Sequence, residues 1–431
     1  MNDIRRKLLG ALAACTSAAL CDARAQGAAM PLGSLAARKQ AVPLEYFGLH
    51  IHEPKTPWPD YRFGRLRLWD TRTSWFHLQP ERNRWDFARL DGFVQQAEQR
   101  GVGVVLPLGL TPAWAAARPT ERSPYNVPGA ASEPADIADW KAYVQTVARR
   151  YKGRIHHYEI WNEVNAGAGF FTGTAESMFE LQRTAFEVLK SIDPGITVIS
   201  PSTEGSTEDK FVWFERYMTL MAGRYADVVA YHFYIPRKPP EALLPVVQRI
   251  QAILARTGNG HLPLWNTESG YRVDWGSAAP LTGTWATWPN LPPALAAAWL
   301  VRAYLLGWLA GLESYFWYGY DTNVMGMVPA SREASVVSDA LGLAIRRMTG
   351  RVFDGLALDD GVAIVRARYG TDECWWVWST DDAVRTWKLP PRQRVTLASN
   401  LVGRLLPLKD GRVEIGPMPI LLAAELQQFG P

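Results

Sequence analysis

The chain has 431 residues, 48% of them hydrophobic and 20% charged, with a formal net charge of +4. That composition buries a real core and excludes a disordered chain, and three cysteines exclude a small disulfide scaffold. About half of the +4 falls in the first 25 residues, so the body is near neutral and carries no basic footprint for nucleic acid.

Residues 1–25 read as an export signal to the periplasm or beyond. Arg5-Arg6-Lys7 opens it, an Ala-rich apolar stretch runs from Leu8 to Leu20, and Ala23-Arg24-Ala25 is a cleavage motif before Gln26. Two variants compete. Leu12-Ala13-Ala14-Cys15 resembles a bacterial lipobox, which would leave a lipid anchor on Cys15, and Arg5-Arg6 weakly resembles a twin-arginine signal. After cleavage at Ala25 only Cys374 remains, so no intrachain disulfide forms. Its place beside Trp375 and Trp376 suits a small buried hydrophobe. No later apolar run is long enough to span a membrane.

Short apolar strands follow at 46–51, 65–69, 103–109, 155–162, 197–201, 226–233, 263–268 and 313–318. Helical spacing lies between most of them, at 86–100, 136–151 and 294–310 among others. Eight strands alternating with helices over residues 45–345 predict a (β/α)8 TIM barrel, an α/β fold. A doubly wound open sheet is the rival, but no G-x-G-x-x-G turn follows the first strand. Beyond residue 350 come strand-like runs at 362–368, 374–379, 385–389 and 394–399. They predict a small antiparallel β-sandwich over 350–431, with residues 33–44 as a candidate extra strand.

In a barrel of this kind the chemistry sits at the C-terminal ends of the strands. Three long segments leave those ends. Residues 110–134 carry Trp114 and Tyr125, residues 164–176 carry Phe170 and Phe171, and residues 269–293 carry Tyr271, Trp275, Trp285 and Trp288. The chain holds 19 Trp, and such a surplus suits a cleft that stacks the flat faces of sugar rings. Glu163 closes Tyr158-Glu159-Ile160-Trp161-Asn162-Glu163, where strand alternation points Glu159, Trp161 and Glu163 to one side. Glu268 closes Leu264-Trp265-Asn266-Thr267-Glu268. Both carboxylates therefore rim one mouth. Breaking a glycosidic bond needs two carboxyl groups in different protonation states, which repulsion and burial can provide.

With Glu268, His232-Phe233-Tyr234 and Trp317 at strand ends, Trp161-Asn162-Glu163 resembles the clan of retaining glycosidases built on (β/α)8 barrels. Within that clan the chain looks most like glycoside hydrolase family 39, over about residues 45–430. The family includes β-xylosidases, α-iduronidases and bacterial exopolysaccharide glycosidases, and a barrel with a small β domain fits the last group. The resemblance implies Glu163 as acid/base and Glu268 as nucleophile. It implies that Asn162 bonds the 2-hydroxyl, that Tyr234 donates to the nucleophile, and that His232 is a nearby sugar contact. Arg67, in Arg67-Leu68-Trp69-Asp70, resembles the Arg that supports the nucleophile, and Trp317 resembles the floor of the cleavage subsite, with pure packing as its alternative. Trp69, Trp114, Trp275, Trp285 and Trp288 are further subsite candidates, at least two of them expected to be structural.

A metal reading competes. His50-Ile51-His52 after the first strand, with His232 and Asp321, resembles the opening of metal-dependent hydrolases on the same barrel. A hydrolytic metal needs about three protein ligands, and only two are local here. No metal and no cofactor are expected, and His50 and His52 are expected to reach a sugar hydroxyl or to pack. The expectation is an exported, monomeric retaining endo-glycosidase acting on a bacterial exopolysaccharide of biofilms. An exo-acting β-xylosidase-like enzyme is the alternative, and a non-catalytic polysaccharide-binding protein is the alternative of another class.

Overall fold

The computed structural model describes residues 38–425 apart from 167–168, 277–286, 323, 332, 334 and 390–394, with backbone only at 124 and 359. The leader with Cys15, and Trp285, lie outside the described residues. Eight strands form the centre: β1 Phe47–Leu49, β2 Arg65–Arg67, β3 Gly103–Leu108, β4 His157–Ile160, β5 Thr197–Ile199, β6 Val229–His232, β7 Leu264–Ser269 and β8 Ser314–Trp317. All pair in parallel in the order β5-β4-β3-β2-β1-β8-β7-β6. The ring closes where Ile199 bridges Val228 and where Thr203–Glu204, just past β5, pairs with Tyr231 and His232. This is the (β/α)8 barrel the alternation predicts.

Helices follow β2 to β8 in turn: α1 Ala88–Arg100, α2 Ile137–Arg150, α3 Ala175–Ile192, α4 Glu208–Met221, α5 Leu243–Arg256, α6 Pro293–Leu309 and α7 Val336–Met348. Local chemistry sets their ends. The Asp136 side chain accepts the Ala138 N–H at the start of α2, and a Thr174/Ser177 capping box opens α3. α1 stops at Gly101, whose φ of 64° is cheap only for glycine. α6 is buried on every side from Ala296 to Leu309 and apolar there apart from Arg302, Tyr304 and the indole N–H groups, the pattern of a helix covered on all faces. None of the described helices is long and apolar enough to cross a membrane.

After the barrel come β9 Val352–Asp359, β10 Val362–Tyr369, β11 Asp372–Ser379, β12 Arg385–Lys388, β13 Leu397–Ser399, β14 Leu405–Leu406, β15 Arg412–Ile415 and β16 Ile420–Ala423. Six of them form one sheet in the order β9-β10-β11-β16-β13-β14, and β12 pairs with β15 as a separate ribbon. The period-two pattern of β10 assigns its two faces. Val362 and Ile364 join a cluster with Trp387, Val413 and Ile415 of the ribbon. Ala363, Val365 and Ala367 join the main core that includes the barrel helices. The sheet is thus packed on both faces, which makes the sandwich. Cys374 is buried in the sheet, as its neighbours suggest.

Residues 38–44 add no strand. Val42 makes one bridge to Thr349, and its N–H donates to the Arg351 carbonyl at 2.9 Å. One such tie is too short to continue a ladder, so the extra strand expected over 33–44 is not formed among the described residues.

Candidate active site

The segment after β4 does not continue as a strand. Trp161 has φ 71° and Glu163 φ 45°, left-handed values that cost a non-glycine residue about 1 kcal/mol each. The surroundings hold them there. The Trp161 N–H donates to the Leu108 carbonyl and its indole Nε1 to the Phe170 carbonyl, each at 2.7 Å, while the Glu163 N–H donates to Ser202 Oγ at 3.1 Å. Gly109 makes room, since a Cβ there would lie 2.8 Å from the Trp161 ring. Simple alternation therefore fails at one residue. Glu159 points inside the barrel and Glu163 into the mouth, but Trp161 turns outward onto Trp140 and Phe171.

Glu163, His232 and Glu268 come together. One ligand atom from each lies within 4.8 Å of the others. His232 Nδ1 is 2.8 Å from Glu163 Oε1 and 3.9 Å from Glu268 Oε1, and its Nε2 is 3.2 Å from Thr267 Oγ1. Glu268 accepts two strong donors: Arg67 Nη1 at 2.8 Å on one oxygen and the Tyr234 hydroxyl at 2.8 Å on the other. Arg67 is fully buried and spends its other nitrogens on Glu159, at 2.6 and 2.8 Å, and on Asn162 Oδ1 at 2.6 Å. Asn162 Nδ2 is buried with no partner among the described residues, a donor left for a ligand.

Electrostatics separate the two carboxyls. Burial, reinforced by Glu204 and then Asp70, pushes Glu163 up to about 8. Burial also raises Glu268, but the Arg67 guanidinium bonded to it restrains the rise to about 6. Burial lowers His232 to about 4, which keeps the imidazole neutral. Near pH 7 one carboxyl is protonated and the other is largely ionised. His232 Nδ1 and Glu163 Oε1 then share one proton between them.

A cleft of about 630 Å³ adjoins this chamber. The segments after β1, β2, β3 and β8 line it, with Glu53, Asp70, Phe76, Tyr125, Tyr318 and Asp321 among the lining residues. The candidate aromatics divide. Trp288 is half-buried with its ring 5.3 Å from that of Tyr234, so it borders the chamber. Trp317 is fully buried; its Nε1 donates to the Met325 carbonyl and its ring meets Tyr271, so it packs and forms no subsite floor. Tyr318, one residue later, faces the cleft instead. Trp69 is buried among Leu110, Ala130 and Phe170. Trp114 donates to the Gln79 carbonyl and packs on Trp75, and Trp275 donates to the Gly326 carbonyl. Trp69 is wall, and the half-buried Trp114 and Trp275 do not line the cleft.

The alternative metal set is not assembled. His50 is fully buried with Nε2 3.1 Å from the Thr267 carbonyl, so it packs beneath the mouth rather than meeting a sugar. Asp321 accepts from the His52 and Glu53 N–H groups and from Thr56, with His52 Nδ1 at 3.3 Å. His232 belongs to the two glutamates. Among the described residues Glu163, His232 and Glu268 alone are close enough to share a cation, and there the Arg67 guanidinium already balances Glu268.

Sequence reasoning missed Glu159, Asp70 and Tyr318 as parts of the site. Glu159 had a signal: four residues before Glu163 on an inward strand, a charge inside a barrel needs a counter-ion, and Arg67 was available.

Comparisons with known proteins agree with this architecture. A family model described as beta-galactosidase, glycoside hydrolase 42, matches residues 67–166. A beta-xylosidase of Geobacillus stearothermophilus is 25% identical over 199 residues, 40% of this chain and 37% of that protein, so the match spans well under half of the relative. A family 39 glycoside hydrolase of Bacteroides cellulosilyticus superposes with a TM-score of 0.68 at 18% identity, over 89% of this chain and 81% of that one. A family 39 beta-xylosidase of Caulobacter crescentus gives 0.62 at 15% identity, over 89% and 97%. The class defined by the fold is a (β/α)8 barrel with a β-sandwich appended. Within that class the chain is similar to family 39.

Proposed function

We propose that the chain is a retaining glycoside hydrolase, with Glu268 as nucleophile and Glu163 as acid/base. The observation that carries this is one short gap, within 4.8 Å, between two carboxyls whose proton affinities differ. Retaining enzymes place the pair about 5–5.5 Å apart, and inverting ones leave about 6.5–9.5 Å for a water.

In the first step Glu268 attacks the anomeric carbon while Glu163 gives its proton to the departing oxygen, so the C–O bond breaks as the glycosyl-enzyme forms. In the second step Glu163, now ionised, takes a proton from water, and the resulting hydroxyl displaces Glu268. Arg67 and Tyr234 hold Glu268 ionised and aimed. Asn162 Nδ2 donates to the 2-hydroxyl of the reacting sugar, and His232 stays neutral beside Glu163.

The substrate reading is an exported endo-enzyme acting on an exopolysaccharide. The leaving group departs on the Glu163 side, above β4 and β5. The cleft opens on the other side, among the β1, β2 and β8 segments, with room for more than one sugar on the retained end. A second reading, an exo-acting β-xylosidase, is favoured by the named relatives. Product analysis decides between them. The chain and its Glu268→Gln variant are incubated with xylans, mannans, glucans and bacterial exopolysaccharides. Oligosaccharides absent with the variant support the endo reading, and monosaccharide alone supports the exo one. Retention on a polymer without products would make the chain a binding protein. Activity should survive a chelator unchanged, since no step uses a metal.

A further inference from the structure

Asp70 is shared by the chamber and the open cleft. It follows β2, lines the cleft, and its charge bears on both Glu163 and Glu268. Two phenols from opposite walls satisfy it. The Tyr318 hydroxyl donates to Oδ2 at 2.6 Å, and the Tyr125 hydroxyl donates to Oδ1. The two donors are held differently. Tyr318 directly follows β8, with its ring 5.3 Å from His50 and 4.9 Å from His52. Tyr125 rides on the long segment after β3, is 43% exposed, and has φ 66° beside Asn126 at 54°. Tyr125 is the exposed one of the two and Tyr318 is half-buried, so the Tyr125 donor is the exchangeable one.

A third carboxylate beside two others opposes ionisation of the nucleophile, which is a disadvantage unless the group binds something. What it can bind is a donor. We propose that Asp70 is a substrate-binding carboxylate for the sugar next to the reacting one on the retained side, whose hydroxyl displaces Tyr125 and donates to Oδ1. This rests on the glycosidase reading above. The same stretch of cleft also presents Glu53 and Asp321. An acidic sugar would face three carboxylates there, with Arg72 as the one arginine in the lining. The class of glycone is therefore a neutral sugar chain of at least two units.

The test compares the full chain with Asp70→Asn and Tyr125→Phe. Substrates are neutral xylo-, manno- and gluco-oligosaccharides of increasing length and the matching 4-nitrophenyl monoglycosides. Asp70→Asn should narrow the ratio of kcat/KM between long oligosaccharide and monoglycoside by at least ~10-fold, mainly through KM. Tyr125→Phe should lower KM for the long substrate by about twofold or more, because a competing donor is gone. A merely structural network would make both variants worse alike. An unchanged ratio in Asp70→Asn overturns the proposal. If Asp70→Asn does not fold, Tyr125→Phe decides alone: a lower KM supports the proposal, and an unchanged or raised KM overturns it. A wild-type chain that cleaves no substrate overturns the glycosidase reading itself, and this one with it.

Discussion

Glu163 and Glu268 share one chamber, yet their neighbours separate them: burial and Glu204 press on the first, while the second accepts directly from Arg67 and Tyr234. The pH dependence follows. With the proposed roles, Glu268 would take up a proton below about 6 and could not attack, and above about 8 Glu163 would have lost the proton it must give. A bell-shaped profile of kcat/KM with limbs near those values is the expected outcome, measured on an aryl glycoside. Stability carries the same signature. The folded state holds the Glu163 proton more tightly than the unfolded chain does. That contribution is fully present below the ordinary value of 4.5 and is lost as pH rises through about 8. Glu163→Gln should therefore gain about 3 kcal/mol more stability relative to wild type at pH 9 than at pH 6, read by urea unfolding. The same variant should spare substrates with good leaving groups far more than natural ones, because those need no proton. Arg67→Met leaves two buried carboxylates without their cation, a loss of about 3–5 kcal/mol that thermal unfolding would register. Glu163 and Glu268 were legible from their place at strand ends, and Asn162, Tyr234 and Arg67 only through the family resemblance those two carry. Asp70 and Tyr318 were not, since their link joins residues 248 positions apart and exists only once β2 and β8 stand in one ring.

Strand ends and the turns after them aim these groups. β4 stops at Ile160 because the next three residues must turn Trp161 out and Glu163 in. Gly109 at the end of β3 is the complement, with φ 146° and no space for a methyl group. Gly109→Ala should cost about 2–4 kcal/mol by driving a Cβ into the Trp161 ring. It should also lower kcat, because Trp161 anchors the turn that carries Glu163. Denaturant unfolding and steady-state kinetics on one preparation check both. The strand and helix periods were readable at this scale. The left-handed turn was not, since nothing local distinguishes Trp161 from an ordinary strand residue; its indole is held by the Phe170 carbonyl and the space at Gly109.

The barrel and the C-terminal sheet are tied by a buried charge. Arg302 of α6 is fully buried, with Nη1 2.5 Å from Asp382 after β11 and Nε 3.1 Å from Glu241 before α5. Trp378 of β11 donates to Glu241 at 2.7 Å, and Trp299 of α6 donates to Asp382 at 3.0 Å. Arg302→Met should destabilise the molecule by about 3 kcal/mol, because both carboxylates lose their cation while the indoles still hold them in place. Calorimetry should show the lower Tm, with kcat at low temperature little changed, since this latch lies away from the carboxyl pair. Nothing in the pattern around Arg302 announced it; a lone Arg in an Ala/Leu-rich helix reads as a surface charge until the sheet is seen to cover it.

By itself the sequence determined the periodicities, and through them eight inward strands, their helices and an antiparallel end. It also placed Glu163 and Glu268 near the C-terminal ends of their strands, because strand direction is a local property. The tertiary structure alone decided which aromatics line the chamber and the cleft. Trp317 and Trp69 went into the wall and Trp114 and Trp275 to half-buried places off the cleft lining, while Trp288 and Tyr318 reached the chamber and the cleft. Apolar area drives a Trp toward burial wherever the chain offers it. Whether it ends as core or as platform depends on what packs against its other face, and that face belongs to residues far away in the chain.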